Sequence, residues 1–299
     1  MRESVKTRMM TNAAPDSVRP GLVLLAASIA ASLLFAGCGA GAAAFMSARD
    51  SEIQDATHDI ATARDDAQRA KAYSSRGTAY SEKARYGRVM DNEHKMIPTQ
   101  EYERLFDLAI KDHNQAVALN PASAEVYFNR AQTYYDRGSL DFVYETKAHR
   151  DQWLDAAAQD FEKAAEKDPK NDRAYDMLGM SYEESFEENK AIRAYTQEMA
   201  LNPLGKRRLA DAYCFFGFQH QQEKELSAAA AAYQKSIQFG TADDKTCPYD
   251  PFANGIAIYT NDTHEYDKAW DMVHQALKAG KLLSPDLIVR LKKESGRSN

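Results

Sequence analysis

The sequence predicts an all-α protein built as a linear stack of about five helical hairpins. Three observations predict it. The 299 residues hold only 14 glycines and 9 prolines, few for a β-rich fold that must turn often. Three prolines close matching steps, Leu119-Asn120-Pro121, Lys167-Asp168-Pro169 and Leu201-Asn202-Pro203. The last two are 34 residues apart and the first two 48, which is the same period with an insertion of 14. Aromatic, small and alanine residues recur at fixed offsets ahead of each proline, which cannot continue a helix and so marks its end. At 44% hydrophobic and 27% charged, the chain is neither a multi-span membrane protein nor disordered. A net charge of −6 disfavours nucleic acid.

Residues 1–37 are expected to lie outside the fold. Arg2, Lys6, Arg8 and Arg19 form a basic leader ahead of the apolar run from Gly21 to Ala36, the pattern of an export signal. The run ends in Leu34-Phe35-Ala36-Gly37-Cys38, which resembles the lipobox of bacterial lipoproteins. That resemblance implies cleavage before Cys38 and lipidation there, palmitate included. It places the protein in the bacterial cell envelope, and Gly39 leans towards an outer-membrane anchor facing the periplasm. The alternative is an uncleaved transmembrane anchor, since apolar character continues to Met46. Residues 38–50 are then expected as a flexible tether, and 51–296 as the folded domain.

From Ser51 to Arg85 only Gly77 interrupts a helical pattern, so a long leading helix is expected. Ile53, Ala56, Ile60, Ala63, Ala67 and Ala70 form a heptad-like stripe of small residues. It serves as an N-terminal cap on the first repeat or as a homodimer seam.

The best-formed unit runs from Asp172 to Gly205, with Tyr175, Leu178, Gly179 and Tyr182 in its first helix and Ala191, Tyr195 and Pro203 in its second. These residues and the 34-residue period resemble the tetratricopeptide repeat (TPR). The resemblance implies a right-handed superhelical solenoid with repeats near 70–121, 124–169, 172–205, 210–243 and 249–280. Glu198 departs from it, standing where a small alanine is usual. Tyr127, Ala131, Tyr134, Ala157, Phe161 and Ala164 mark the second copy; Tyr73, Gly77, Tyr80, Ala109 and Ala116 the first. Both carry interhelix insertions, one including Tyr86, Met96, Ile97 and Pro98, the other Phe142, Tyr144, His149 and Trp153. They either lengthen the helices or form a binding edge. Tyr213, Gly217, Ala229, Tyr233 and Ile237 mark the fourth copy; Phe252, Tyr259, Tyr266, Ala269, Ala276 and Leu277 the fifth. Ser284-Pro285 opens a capping helix over 284–294, with Leu287, Val289 and Leu291 inward.

The resemblance also implies which first-helix positions line the inner groove. They are Glu125, Phe128, Gln132 and Tyr135 in the second unit, Arg173, Asp176, Met180 and Glu183 in the third, and Asp211, Cys214, Phe218 and Gln221 in the fourth. Phe128, Tyr135, Met180 and Phe218 make that wall apolar enough to anchor a peptide or helix. The paired lysines and asparagines with which some cytosolic TPR proteins grip a terminal carboxylate are missing: Ser74, Thr78, Phe128, Gln132, Asp176 and Met180 stand there.

Little else points to chemistry. The seven histidines form no metal-binding spacing, and there is no phosphate loop or nucleophile elbow. His113 and His220 occupy places usually filled by packed aromatics. Cys214 and Cys247 are read as buried free thiols, with a disulfide as the alternative that geometry decides. The chain therefore reads as a non-catalytic, lipid-anchored scaffold without cofactor or metal, recruiting protein or peptide clients through its groove. A structural homodimer is the second reading. The third, an enzyme with an unrecognised site, requires a polar pocket with clustered, strongly shifted titratable groups.

Overall fold

The computed structural model describes residues 39–89, 99–140, 147–240 and 249–297. Among these residues the chain is helical and has no strand. The helices are α1 (Gly39–Thr62), α2 (Asp66–Val89), α3 (Thr99–Leu119), α4 (Ala124–Leu140), α5 (Lys147–Lys167), α6 (Asp172–Glu184), α7 (Glu188–Leu201), α8 (Lys206–Gln222), α9 (Leu226–Phe239), α10 (Pro251–Asn261), α11 (Tyr266–Lys278) and α12 (Pro285–Ser295). Cys38, the segment before it, Met96 to Pro98, Phe142, Tyr144 and Cys247 lie outside the described residues.

Five hairpins follow one another: α2 with α3, α4 with α5, α6 with α7, α8 with α9, and α10 with α11. Each also packs on the next, which is the nearest-neighbour architecture of a solenoid. The turns between hairpins follow from sequence. Asn171 caps α6 by accepting from the Ala174 amide at 3.2 Å. Asn202 ends α7, and Pro203–Gly205 makes one 3₁₀ turn before α8. Within a hairpin, small residues allow close approach. A Cβ added to Gly179 would fall 2.5 Å from the ring of Tyr195, which is fully buried. The same contact recurs between Gly217 and Tyr233.

The expected single leading helix is instead two. Asp65 stops α1 and starts α2 by accepting from the Gln68 amide at 2.7 Å, and the chain doubles back. Arg49 pairs with Glu82, Lys83 reaches Asp50 at 2.6 Å, and Phe45 stacks on Tyr86 at 4.2 Å. These contacts make 39–50, the expected tether, the first half of α1. The small-residue stripe is thus split across a hairpin, with Ala56 and Ala70 buried inside this chain. It packs on the first repeat and does not run along one continuous helix.

The described parts of the insertions, with Tyr86 on α2 and His149 and Trp153 on α5, lengthen helices. α2, α3, α4 and α5 run 24, 21, 17 and 21 residues, against 13 and 14 for α6 and α7. Trp153 on the extended part of α5 stacks on Tyr134 and lies under Arg137, 4.2 Å from its guanidinium carbon. At the other end, α12 closes the last hairpin. Leu291 is fully buried in a cluster with Ile256, Trp270 and Met272, with Leu287 and Ile288 against it. Val289, expected inward, is 64% exposed; Ile288 takes its place.

Candidate binding groove

Helices α2 and α4 and the start of α6 enclose a cleft of about 630 Å³. Thr78, Ser81, Glu82 and Arg85 come from α2. Glu125, Phe128, Asn129, Gln132, Thr133 and Asp136 come from α4, Asp168 and Asn171 from the turn after α5, and Arg173 from α6. Asn129 donates to the buried Ser74 hydroxyl at 3.0 Å, holding α4 to α2. Phe128 meets Phe161 edge to face, and the Arg173 guanidinium lies over its ring, 5.2 Å from the centroid.

Four of the residues assigned to the groove by spacing are brought together here: Glu125, Phe128, Gln132 and Arg173. The others are not. Tyr135 is buried in the core. Asp176 pairs with Arg208 at 3.0 Å. Glu183 accepts from the Tyr195 hydroxyl at 2.9 Å, and Gln221 from that of Tyr233 at 2.8 Å. Phe218 is half-buried, stacks face on Tyr249 with centroids 3.8 Å apart, and lines neither this cleft nor the second one below. Met180 and Asp211 are half-buried and line neither this cleft nor the second one below.

Cys214 is disulfide-bonded, which corrects the free-thiol expectation. Its sulfur lies 3.4 Å from the Tyr249 carbonyl oxygen, and both other cysteines, Cys38 and Cys247, are outside the described residues.

The sequence missed Ser81, Arg85, Asn129, Thr133 and Asp136. The groove-facing line of α4 runs Glu125, Asn129, Gln132, Asp136, in helical steps of four, three and four. Continuing from Gln132 by four instead of three would have chosen Asp136 over Tyr135. Asp136 is 4% exposed. Burial pushes its carboxyl up to about 6, against the opposing pull of Arg85 and a 3.2 Å hydrogen bond from Gln132.

A second cleft, about 650 Å³, lies between α5, α6 and α7. In its wall Tyr182 donates to Glu162 at 2.5 Å, and Lys190 pairs with Glu187 at 2.5 Å and sits over the Tyr182 ring. The other strongly shifted carboxyls, Glu183 and Glu198, both pushed up to about 7 by burial, line neither cleft. Tyr182 and Asp155, both shifted upward chiefly by burial, line the second cleft. His113 is fully buried, as expected, facing Gly77. His220 is instead half-buried and bridges Glu188 and Glu225, each at 2.9 Å. Glu223 completes an exposed cluster with it, but both ring nitrogens are already engaged by carboxylates.

Residues 106–138, from α3 through the Asn120-Pro121 turn into α4, match a family model described as TPR repeat. No curated protein sequence matches the chain. Among solved structures it is similar to the MamA protein, at 20% identity, covering 72% of this chain and 100% of that one with a TM-score of 0.42. It is also similar to YrrB, a TPR protein with an unusual peptide-binding site, at 18% identity, covering 68% and 94% with a TM-score of 0.36. A third is a thermophilic TPR protein of Thermus thermophilus, at 15% identity, covering 76% and 99% with a TM-score of 0.35.

Proposed function

We propose that the protein is a non-catalytic scaffold that holds a client protein or peptide in the groove between α2, α4 and α6, while a lipid on Cys38 tethers it to a membrane of the bacterial cell envelope. One observation carries the binding half: an open cleft of about 630 Å³ joins an aromatic anchor, Phe128, to a largely polar lining. An apolar anchor among a few convergent polar groups is what peptide recognition uses. The anchor half rests on Leu34 to Cys38 and the basic leader before them, and Gly39 directs it to the outer membrane. No described helix is long and apolar enough to cross a membrane.

The test is crosslinking of the native protein in its own envelope, followed by mass spectrometry, with wild type beside Phe128→Ala/Arg173→Ala. Phe128 is half-buried at the cleft, so the double variant should keep its helical circular dichroism and lose at least tenfold in client recovery. Unchanged recovery overturns the groove. Palmitate labelling decides the anchor: wild type should label and Cys38→Ala should not. An unlabelled wild type refutes the lipidation.

A further inference from the structure

The floor of the groove holds buried polar groups whose hydrogen-bonding capacity is not filled among the described residues. Asp136 is 4% exposed and, among the described residues, accepts one hydrogen bond, 3.2 Å from the Gln132 amide. An ionised carboxylate has about four acceptor sites. In the same lining, Ser81 is 3% exposed and its buried hydroxyl has no hydrogen-bond partner. Buried groups left this way are rare in folded proteins and call for an explanation. The lining carries four carboxylates, Glu82, Glu125, Asp136 and Asp168, against two guanidiniums, Arg85 and Arg173. Arg173 is placed over Phe128, and Arg85 acts on Asp136 through space.

We infer that the groove is a receptor for a basic side chain, a lysine or arginine presented by an extended client segment, with Asp136 as its counterion and the Ser81 hydroxyl as a second acceptor. The aliphatic stem of such a side chain lies along apolar surface while its charged head reaches the floor. Phe128 supplies that surface. The selectivity is the reverse of a carboxylate clamp, which needs a basic wall. A divalent cation fits less well, because it demands six or more oxygen ligands and the lining offers one deeply buried carboxylate. The inference deepens the scaffold proposal and rests on it.

A displayed library of random dodecapeptides, panned on the full-length protein, tests both and separates them. The expected result is enrichment of peptides sharing one lysine or arginine. Replacing that residue by norleucine or citrulline, or Asp136 by Asn, should weaken binding at least tenfold, and Ser81→Ala severalfold. Phe128→Ala/Arg173→Ala should weaken the same peptides. Peptides that depend on Phe128 and Arg173 but not on their own basic residue overturn this inference and leave the groove standing. No enriched peptides, or peptides indifferent to every variant, overturn both. Should Asp136→Asn fail to fold by circular dichroism, the norleucine and citrulline peptides on the wild-type protein decide the question alone.

Discussion

The first two hairpins and the next two solve one packing problem in opposite ways. In the first, Arg76 on α2 forms a two-pronged pair with Asp112 on α3, at 2.6 and 2.8 Å. In the second, Arg130 on α4 does the same with Asp160 on α5, at 2.6 and 3.0 Å. Both aspartates are buried, and each precedes the large residue, His113 or Phe161, that fills the hairpin. At the corresponding places the third hairpin has Leu178 and Ala194 and the fourth Phe216 and Ala232, all buried. The same helical frame therefore accepts an ion pair or an apolar pair. That fits the near-balance between the desolvation of a buried pair and its attraction. The inner face divides along the same line. It forms a polar cleft beside α2 and α4, while at α8 Phe218 has one ring face stacked on Tyr249.

If the two solutions are interchangeable, breaking one half of a pair should hurt far more than replacing the whole. Asp160→Ala leaves the Arg130 guanidinium, whose side chain is only 15% exposed, without its counterion and with only Asn114 as a partner, and should lower stability by about 3 kcal/mol. Arg130→Leu/Asp160→Ala copies the third hairpin and should stand within about 1 kcal/mol of wild type. Urea unfolding of both variants measures this. A double variant as weak as the single one would mean that the second hairpin needs its charges for more than packing.

Much of this frame is legible in the sequence, and the limits have physical causes. Helix ends announce themselves through Pro121, Pro169 and Pro203, and close helix approach through the small residues Gly179 and Ala191, though these do not reveal that Tyr195 is what packs on Gly179. The turn at Ala63 to Asp65 is harder to see, because neither Gly nor Pro marks it and a single capping aspartate does the work. The ion pairs are invisible as pairs, since Arg76 and Asp112 lie 36 residues apart and look like solvated charges. At the groove, spacing finds Phe128 and Arg173 but misses Asp136, because a repeat pattern fixes which helices face inward more firmly than which residue continues the line. Phe218 shows a second limit: spacing does not reveal that a residue later in the chain, Tyr249, takes one face of its ring.

The third and fourth hairpins avoid the ion pair but bury charge elsewhere, which gives a subtler contrast. Glu198 stands where a repeat of this kind usually has alanine. It is buried beneath Gly205, where an added Cβ would come within 2.8 Å of the carboxyl carbon. Burial, with Asp176 adding repulsion against the opposing Arg208, raises it from 4.5 to about 7. A carboxyl raised in the folded state binds its proton more tightly there than in the unfolded chain. Its stabilisation is therefore present near pH 4.5 and lost as pH rises through about 7. Glu198→Gln should then stabilise the protein at pH 8 by about 1 kcal/mol, of the order of one pKa unit, and give no such gain at pH 4.5. Urea midpoints at the two pH values check it; equal effects at both would remove the titration from the account.

The two packed histidines offer the finest division between the halves. His113, in the first hairpin, is pushed down to about 3 by burial, with Arg130 adding to it, so it stays neutral across the physiological range. His220, at the end of α8, is also pushed down by burial, but its bonds to Glu188 and Glu225 more than offset this and raise it above 6.5. A raised histidine contributes stability that is complete below its ordinary value and fades as pH climbs through the folded one. His220→Gln should thus lose about 0.5 kcal/mol at pH 6, the scale of a part-exposed ion pair, and less at pH 9. Hydrogen exchange, corrected for the intrinsic dependence on pH, localises the effect. Protection in α8 and α9 should differ between wild type and variant at pH 6 and converge by pH 9. In α2 and α3, where His113 carries no charge to lose, the two proteins should match throughout. An equal difference in α2 and α3 would mean that the hairpins unfold as one body, and the contrast between the halves would then be one of composition without separate stability.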